Sequence, residues 1–232
     1  MTVRGHTIEG DGSGYDGGIY LNSRQNNTIK NCIIRNFNYG IYLLSSSNNN
    51  ITNNTANSND WEGIYLYSSS NNFLTNNTAN SNNRYGIFLS SSSNNSLTNN
   101  TANSNSKYGI YLSSSSNNSL TNNTANLNNI SGIVLGFSSN NSLTNNTANL
   151  NNVTGIYIFG NSNFNKILNN KILNNGKTGI TLSNCGFWGH CYDNAGNSNN
   201  KIKDNKILNN NVGIFSQQSN STINNHKVKI VL

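Results

Sequence analysis

The sequence predicts an all-β chain wound into a right-handed parallel β-helix, a solenoid of about nine coils of roughly 23 residues each. Three observations predict it. A glycine-led unit recurs along nearly the whole chain. The apolar residues inside each unit alternate with a period of two. The composition suits stacked polar bends better than a thick core.

The glycines set the repeat. Gly18, Gly40, Gly63, Gly86, Gly109, Gly132, Gly155, Gly179 and Gly213 open units spaced 22, 23, 23, 23, 23, 23, 24 and 34 residues apart. The central units are near copies: residues 86–108 read GIFLSSSSNNSLTNNTANSNSKY and residues 109–131 read GIYLSSSSNNSLTNNTANLNNIS.

The alternation gives the strands. In GIYL, Ile and Leu share one face and Tyr takes the other. The inward residues form one column running from Ile19 to Ile214 and a second from Leu21 to Leu182. A second strand supplies Ile29, Ile51, Leu74, Leu97, Leu120, Leu143, Ile167, Ile202 and Ile223. Five residues later comes a smaller inward position, Ile34, Ala56, Ala79, Ala102, Ala125, Ala148, Ile172 and Ile207. An odd spacing reverses strand parity, so a bend lies between, at the Asn-Asn pair. The unit is too short for a leucine-rich repeat with a full helix, and its Ser, Asn and β-branched residues disfavour helix. Coils of two or three short strands follow, stacked in parallel at ~4.8 Å per step into a rod about 40 Å long.

Composition indicates what holds such a rod together. Of 232 residues 59 are asparagine, none is proline, 33% are hydrophobic and 9% charged. That excludes a thick globular core. A few large apolar side chains per coil do not offset the ordering of so many backbones, so hydrogen bonds between coils must supply the balance. The column Asn54, Asn77, Asn100, Asn123, Asn146, Asn170 and Asn205 lies at one bend and is placed to pass amide hydrogen bonds from coil to coil. Cys32 occupies the same column one coil earlier and reads as a buried structural thiol. The whole chain, 1–232, is then one β-helix domain: 1–17 a first coil or cap, 18–178 regular coils, 179–212 a coil with a loop inserted at 183–199, and 213–232 a terminal coil.

In these units the chain resembles the right-handed β-helix repeats of NosD-like and pectin-lyase-like proteins, and GHTIEGDGSGYDGGIYL resembles the opening coils of such domains, especially archaeal surface ones. The resemblance covers nearly the whole chain and implies the fold. It implies no single activity, because such relatives include polysaccharide lyases, hydrolases, epimerases, copper-delivery accessories and non-catalytic surface proteins.

The residues for chemistry are sparse. Glycoside hydrolysis needs two carboxylates at a set separation, and lyases need a base, often with calcium. The chain has seven acids: Glu9, Asp11, Asp16, Asp60, Glu62, Asp193 and Asp204. The first three read as part of a cap. Asp60 and Glu62 flank Trp61 and read as a solvated bend. No catalytic residue is assigned and no cofactor is expected. An enzyme would require two of Asp60, Glu62, Asp193 and Asp204 to share a groove with a lysine or arginine.

The 34-residue unit interrupts the repeat, and long loops on regular scaffolds often carry function. Three readings compete for it: a Cys185–Cys191 disulfide, a copper(I) or zinc site from Cys185, His190 and Cys191, or a sugar platform of Phe187, Trp188 and Tyr192. Two further surface features stand out. An outward column runs Tyr20, Tyr42, Tyr65, Phe88, Tyr111, Val134, Tyr157, and lysines cluster from Lys166 onward within a net charge of +7. That cluster reads as solvated charge that keeps a neutral rod soluble. Thirteen Asn-X-Ser/Thr sequons occur, about the number that the asparagine content alone produces.

The expected function is a non-catalytic extracellular or cell-surface solenoid: a structural, adhesive or self-assembling module. Its expected partners are a surface polysaccharide or a second copy docked end to end, with no nucleic acid and no transmembrane segment. The alternative is a carbohydrate-active β-helix enzyme of lyase, hydrolase or epimerase type. A lesser alternative is a NosD-like copper-handling accessory.

Overall fold

The computed structural model describes all residues except 13, 15, 187–195, 218–219, 225–226 and 230–232, and gives the backbone alone for 227–229. Among the described residues every strand pairing is parallel, and the strands stack into three faces of a right-handed solenoid of about nine turns. The long face has nine strands, from Gly17–Asn22 to Val212–Ser216. The short face has ten, from Thr2–Arg4 to Thr222–Asn224. The third face is two three-stranded sheets joined by single bridges from Thr55 through Thr78, Thr101, Thr124 and Thr147 to Lys171.

The inward columns lie as the alternation requires. Ile41, Leu43, Ile64, Leu66, Ile110 and Leu112 are fully buried, as are Leu97, Leu120 and the alanines from Ala56 to Ala148. Two expected core positions differ. Ile214 is only partly buried and Ile223 is 40% exposed, because the last coil has few described residues packed over it. The unit-leading glycines point inward against the alanine column. A Cβ on Gly109 would lie 2.7 Å from the Ala102 carbonyl oxygen and 2.8 Å from the Ala125 Cβ, so this position admits no larger residue.

Each coil turns at four corners, and each corner is built alike. In the coil that starts at Tyr85, Ser91, Asn94, Asn99 and Ser104 take the left-handed conformation, with φ of 49°, 59°, 55° and 56°. Asn and Ser occupy it readily because their short polar side chains bond locally. The residue after each is polar and buried: Ser92, Asn95, Asn100 and Asn105. Sequence reasoning foresaw one ladder, whereas the structure has one of serines and three of asparagines.

The foreseen ladder shows how the amides work. Asn100 Oδ1 accepts from the Asn77 backbone N–H (2.9 Å) and from Asn77 Nδ2 (3.0 Å). Asn100 Nδ2 donates to the Leu74 carbonyl (2.9 Å) and to Asn123 Oδ1 (3.0 Å). Both lone pairs and both amide hydrogens are therefore used, which a buried amide requires. Cys32 begins this ladder, its backbone N–H donating to Asn54 Oδ1 (3.0 Å).

The insertion leaves the ladders unbroken. Asn170 Nδ2 still reaches Asn205 Oδ1 at 2.9 Å across 35 residues. After the insertion, Asn197 takes the serine-ladder position, its Oδ1 accepting from the Ser162 N–H.

Two substitutions test this architecture. Asn123→Ala removes the acceptor of both the Asn100 backbone N–H and the Asn100 side-chain amide and one donor to the Leu97 carbonyl, so it destabilises the rod by about 3 kcal/mol or more. Ile110→Asp places an unpaired charge in the core and lowers the melting temperature by many degrees. A thermal melt within about a degree of the parent for either variant contradicts the assignment.

Candidate functional site

The outward side of the long face carries the chain's most concentrated chemistry. Tyr20, Tyr42, Tyr65, Phe88 and Tyr111 occupy one register column. Their rings stack coil on coil: Tyr42–Tyr65 at 5.0 Å and 6°, Tyr65–Phe88 at 4.9 Å and 3°, Phe88–Tyr111 at 4.9 Å and 8°. A second column runs Gly17, Tyr39, Glu62, Tyr85, Tyr108. Trp61 meets Tyr39 edge-on at 5.2 Å.

Stacking uses ring faces, so most of the strip presents edges and hydroxyls to solvent. Burial pushes Tyr65 and Tyr108 well above the usual phenol range and Tyr85 up to about 12, and it also raises Tyr42. The hydroxyls therefore stay neutral, able to donate and accept. At the end of the stack Tyr20 is 48% exposed, and among the described residues Tyr42 is the ring stacked on it. There Asp16, Gly17, Tyr20, Tyr39 and Tyr42 line an open cleft of about 220 Å³. Asp16 is held in place by exchange with Asn38, each backbone N–H donating to the other's side-chain oxygen at 3.2–3.3 Å.

Glu62 corrects the sequence reading. It is not solvated but 2% exposed, standing in the tyrosine column between Tyr39 and Tyr85. The Arg84 guanidinium is 3.7 Å from its Oε1, too far and unaligned for a hydrogen bond, and lies over the Trp61 ring at 5.5 Å and the Tyr85 ring at 5.6 Å. Burial raises the Glu62 carboxyl to about 7, with Arg84 and then Lys107 opposing. The signal was present in the repeat: EGIYL stands where the neighbouring units have YGIYL and YGIFL. Asp60 is exposed, and Asp204 pairs with Lys203 at 3.3 Å on another face.

At the far end of the strip Val134, Tyr157 and Phe159 are buried although they point outward. The Tyr157 hydroxyl donates to the Cys185 carbonyl, so the start of the insertion lies over this end of the face. Cys185 is disulfide-bonded and Cys32 is free. Phe187, Trp188, His190, Cys191, Tyr192 and Asp193 lie outside the described residues, and with them the other half of the disulfide, metal and sugar-platform readings.

The family model for right-handed β-helix regions matches residues 1–125, and that for the periplasmic copper-binding protein NosD matches residues 102–228. No characterised protein sequence matches the chain. Among solved structures it is similar to the periplasmic alginate epimerase AlgG, at TM-score 0.79 and 21% identity over 89% of this chain and 50% of that one. It is also similar to the A-module of the Azotobacter vinelandii mannuronan C-5 epimerase AlgE4, at TM-score 0.77 and 20% identity over 99% of this chain and 73% of that one. The catalytic domain of a GH87 α-1,3-glucanase matches at TM-score 0.62 and 20% identity, over 97% of this chain and 54% of that one. The chain thus spans about half the length of AlgG, and identities this low show the fold alone.

Copper, the ligand named for the second family, was tested against the donors present. Among the described residues no three of His, Cys, Asp and Glu converge. Cys32 is sealed in a ladder and Cys185 is bonded to sulfur. Soft-metal chemistry needs accessible thiolate, thioether or imidazole donors, and the described residues do not fit it.

Glu62 makes the fold pH-dependent. Its folded-state value lies above the ordinary carboxylate value, so the folded chain holds this proton more tightly than the unfolded one. Its contribution is full below about pH 4.5 and is lost as pH rises through about 7. Glu62→Gln removes that slope. Thermal melts should show the parent losing up to about 3 kcal/mol relative to the variant between pH 5 and pH 8. A constant difference between the two across that range contradicts the buried-carboxyl assignment.

Proposed function

The chain belongs to the right-handed β-helix family and is one of its NosD-like repeat proteins, and from that premise we propose that it is a non-catalytic, polysaccharide-binding solenoid of the cell surface or periplasm. The observation that carries the proposal is the aromatic strip ending in the cleft of Asp16, Tyr20, Tyr39 and Tyr42. An exposed ring face packs on the apolar face of a sugar, and neutral hydroxyls at each coil step hydrogen-bond the next units of the polymer. The insertion begins over the same strip at Cys185, and Phe187, Trp188 and Tyr192 are further candidate sugar contacts in this reading. Support also comes from the fold neighbours, two of which are named as alginate or mannuronan epimerases and one of which was captured with tetrasaccharides.

Binding is preferred to catalysis because of the carboxylates. Glu62 is 2% exposed and so closed to a polymer on the surface, and the charged groups acting on it are Arg84 and Lys107 rather than a second carboxylate. A surface or periplasmic location accords with the compartments named for NosD and AlgG, and no helix among the described residues is long and apolar enough to cross a membrane. Head-to-tail association of rods belongs to the same proposal, with the outermost strands of the short face, Thr2–Arg4 and Thr222–Asn224, supplying the paired edges. A concentration-independent monomeric mass in light scattering removes that part.

Affinity electrophoresis through a panel of neutral and acidic polysaccharides tests the main proposal. At least one polymer should retard the chain, with Tyr20→Ala and Trp61→Ala each weakening it about tenfold while leaving the melting temperature nearly unchanged. A panel in which no polymer's retardation is weakened by either variant, or polymer cleavage or epimerisation abolished by Glu62→Gln, overturns it.

A further inference from the structure

A second surface, away from the aromatic strip, is marked by charge. Residues 160–232 hold eight lysines against two aspartates, so they carry +6 of the chain's net +7. The pairing register shows how the lysines are arranged. Lys166 and Lys201 are direct neighbours on the short face, and Lys171, Lys206 and Lys227 are direct neighbours on the third face. Lys203 follows on the short face beside Leu168. The two columns flank a single corner of the rod, the one turned by Asn169 and Asp204.

These columns are uncharged elsewhere. The position of Lys166 and Lys201 is Ser96, Ser119 and Ser142 in the preceding coils, and that of Lys171 and Lys206 is Thr78, Thr101, Thr124 and Thr147. Like charges placed directly opposite each other in a sheet repel. Charge serving only solubility is best interspersed, yet here it is stacked in two columns on one edge. Lys166, Lys171, Lys201 and Lys206 are all exposed, and among the described residues none has a carboxylate within ion-pair distance.

We propose that this edge, formed by Lys166, Lys171, Lys201 and Lys206, with Lys203 paired to Asp204 beside them, is a binding site for a linear anionic polysaccharide lying along the rod axis. The lysines recur at the coil step of ~4.8 Å, close to the length of one glycosidically linked pyranose unit, so successive charged sugars meet successive ammonium groups. Leu168 lies between the two columns and Leu173 and Leu208 flank them, and the exposed ring near Lys166 in sequence, Phe164, is a single one rather than a row on which successive bases would stack, which favours a glycan over a single-stranded nucleic acid. The site is independent of the aromatic strip: either reading can fail while the other stands.

The test uses the full chain and polygalacturonate, with dextran as the neutral polymer and an oligothymidylate of equal charge as the competing polyanion. Affinity is measured at low and high salt for the parent and for two triple variants. The first, Lys166→Gln with Lys201→Gln and Lys206→Gln, should lose tenfold or more in polygalacturonate affinity and show a shallower salt dependence. The second, Arg4→Gln with Arg24→Gln and Lys30→Gln, removes the same charge elsewhere and should change affinity less than twofold. Tyr20→Ala should leave this binding intact. Parent chain that ignores polygalacturonate, equal losses in the two triple variants, or tighter binding to the oligothymidylate would each overturn the proposal.

Discussion

The structure depends on one interaction, the amide-to-amide hydrogen bond that passes up each corner from coil to coil. A corner turns the chain by placing one residue in the left-handed region, and the next residue's polar group is then buried inside the bend. A buried amide is tolerated only when all its hydrogen-bonding capacity is used. Here the partner is the same residue in the neighbouring coil, as between Asn77, Asn100 and Asn123. The condition is met only if every coil has the same corners at the same height, so the ladder enforces a constant step. It also overrides local preference. Leu127, Leu150, Phe137 and Phe164 sit at left-handed corners with φ between 52° and 59°, where bulky residues are strained. Ladder residues follow each of them or lie within two positions of it, namely Asn128, Asn151, Ser138 and Asn165, and these fix the path.

A constant step turns sequence repetition into surface pattern. Whatever residue type recurs at one outward position is stacked on its own kind at the spacing of the sheet. Tyrosines become a ring stack, threonines a row of bridges, and lysines a charged edge. A single departure is therefore conspicuous and has a physical consequence. Glu62 replaces one tyrosine in its column and inherits that column's burial, and this, not its place beside a bend, raises its carboxyl.

The fold was legible in the sequence because its two signals, the glycine spacing and the alternation of Ile and Leu, are strictly local. The ladder at Asn54 to Asn205 was legible because it lies in the near-invariant Thr-Asn-Asn-Thr segment. The Asn49 and Asn59 ladders and the serine ladder from Ser46 to Ser162 were not read, since burial at a corner depends on the left-handed residue before it. That residue varies among Ser, Asn, Leu and Phe. Glu62 was misread for a related reason: its sequence neighbours Asp60 and Trp61 suggest a solvated turn, while its spatial neighbours come from units 23 residues away on either side. The lysine columns appeared as clustering along the chain, but their register across an insertion of eleven extra residues emerges only once Lys166 is paired with Lys201.

The stacking that stabilises the aromatic strip also limits how it can be used. A ring with a ring on each side has no face left for a sugar, so the middle of the column offers only edges and hydroxyls. The stack of described rings ends at Tyr20, and it turns at Trp61, which meets Tyr39 edge-on and carries Arg84 over its ring. The Tyr20 end coincides with the open cleft, and Trp61 lies beside the buried Glu62 and the partly exposed Arg84 that faces it. On the binding reading proposed above, a polymer would therefore be gripped at the Tyr20 end and tracked by hydroxyls along the column, while Glu62, 2% exposed, would not reach its bonds.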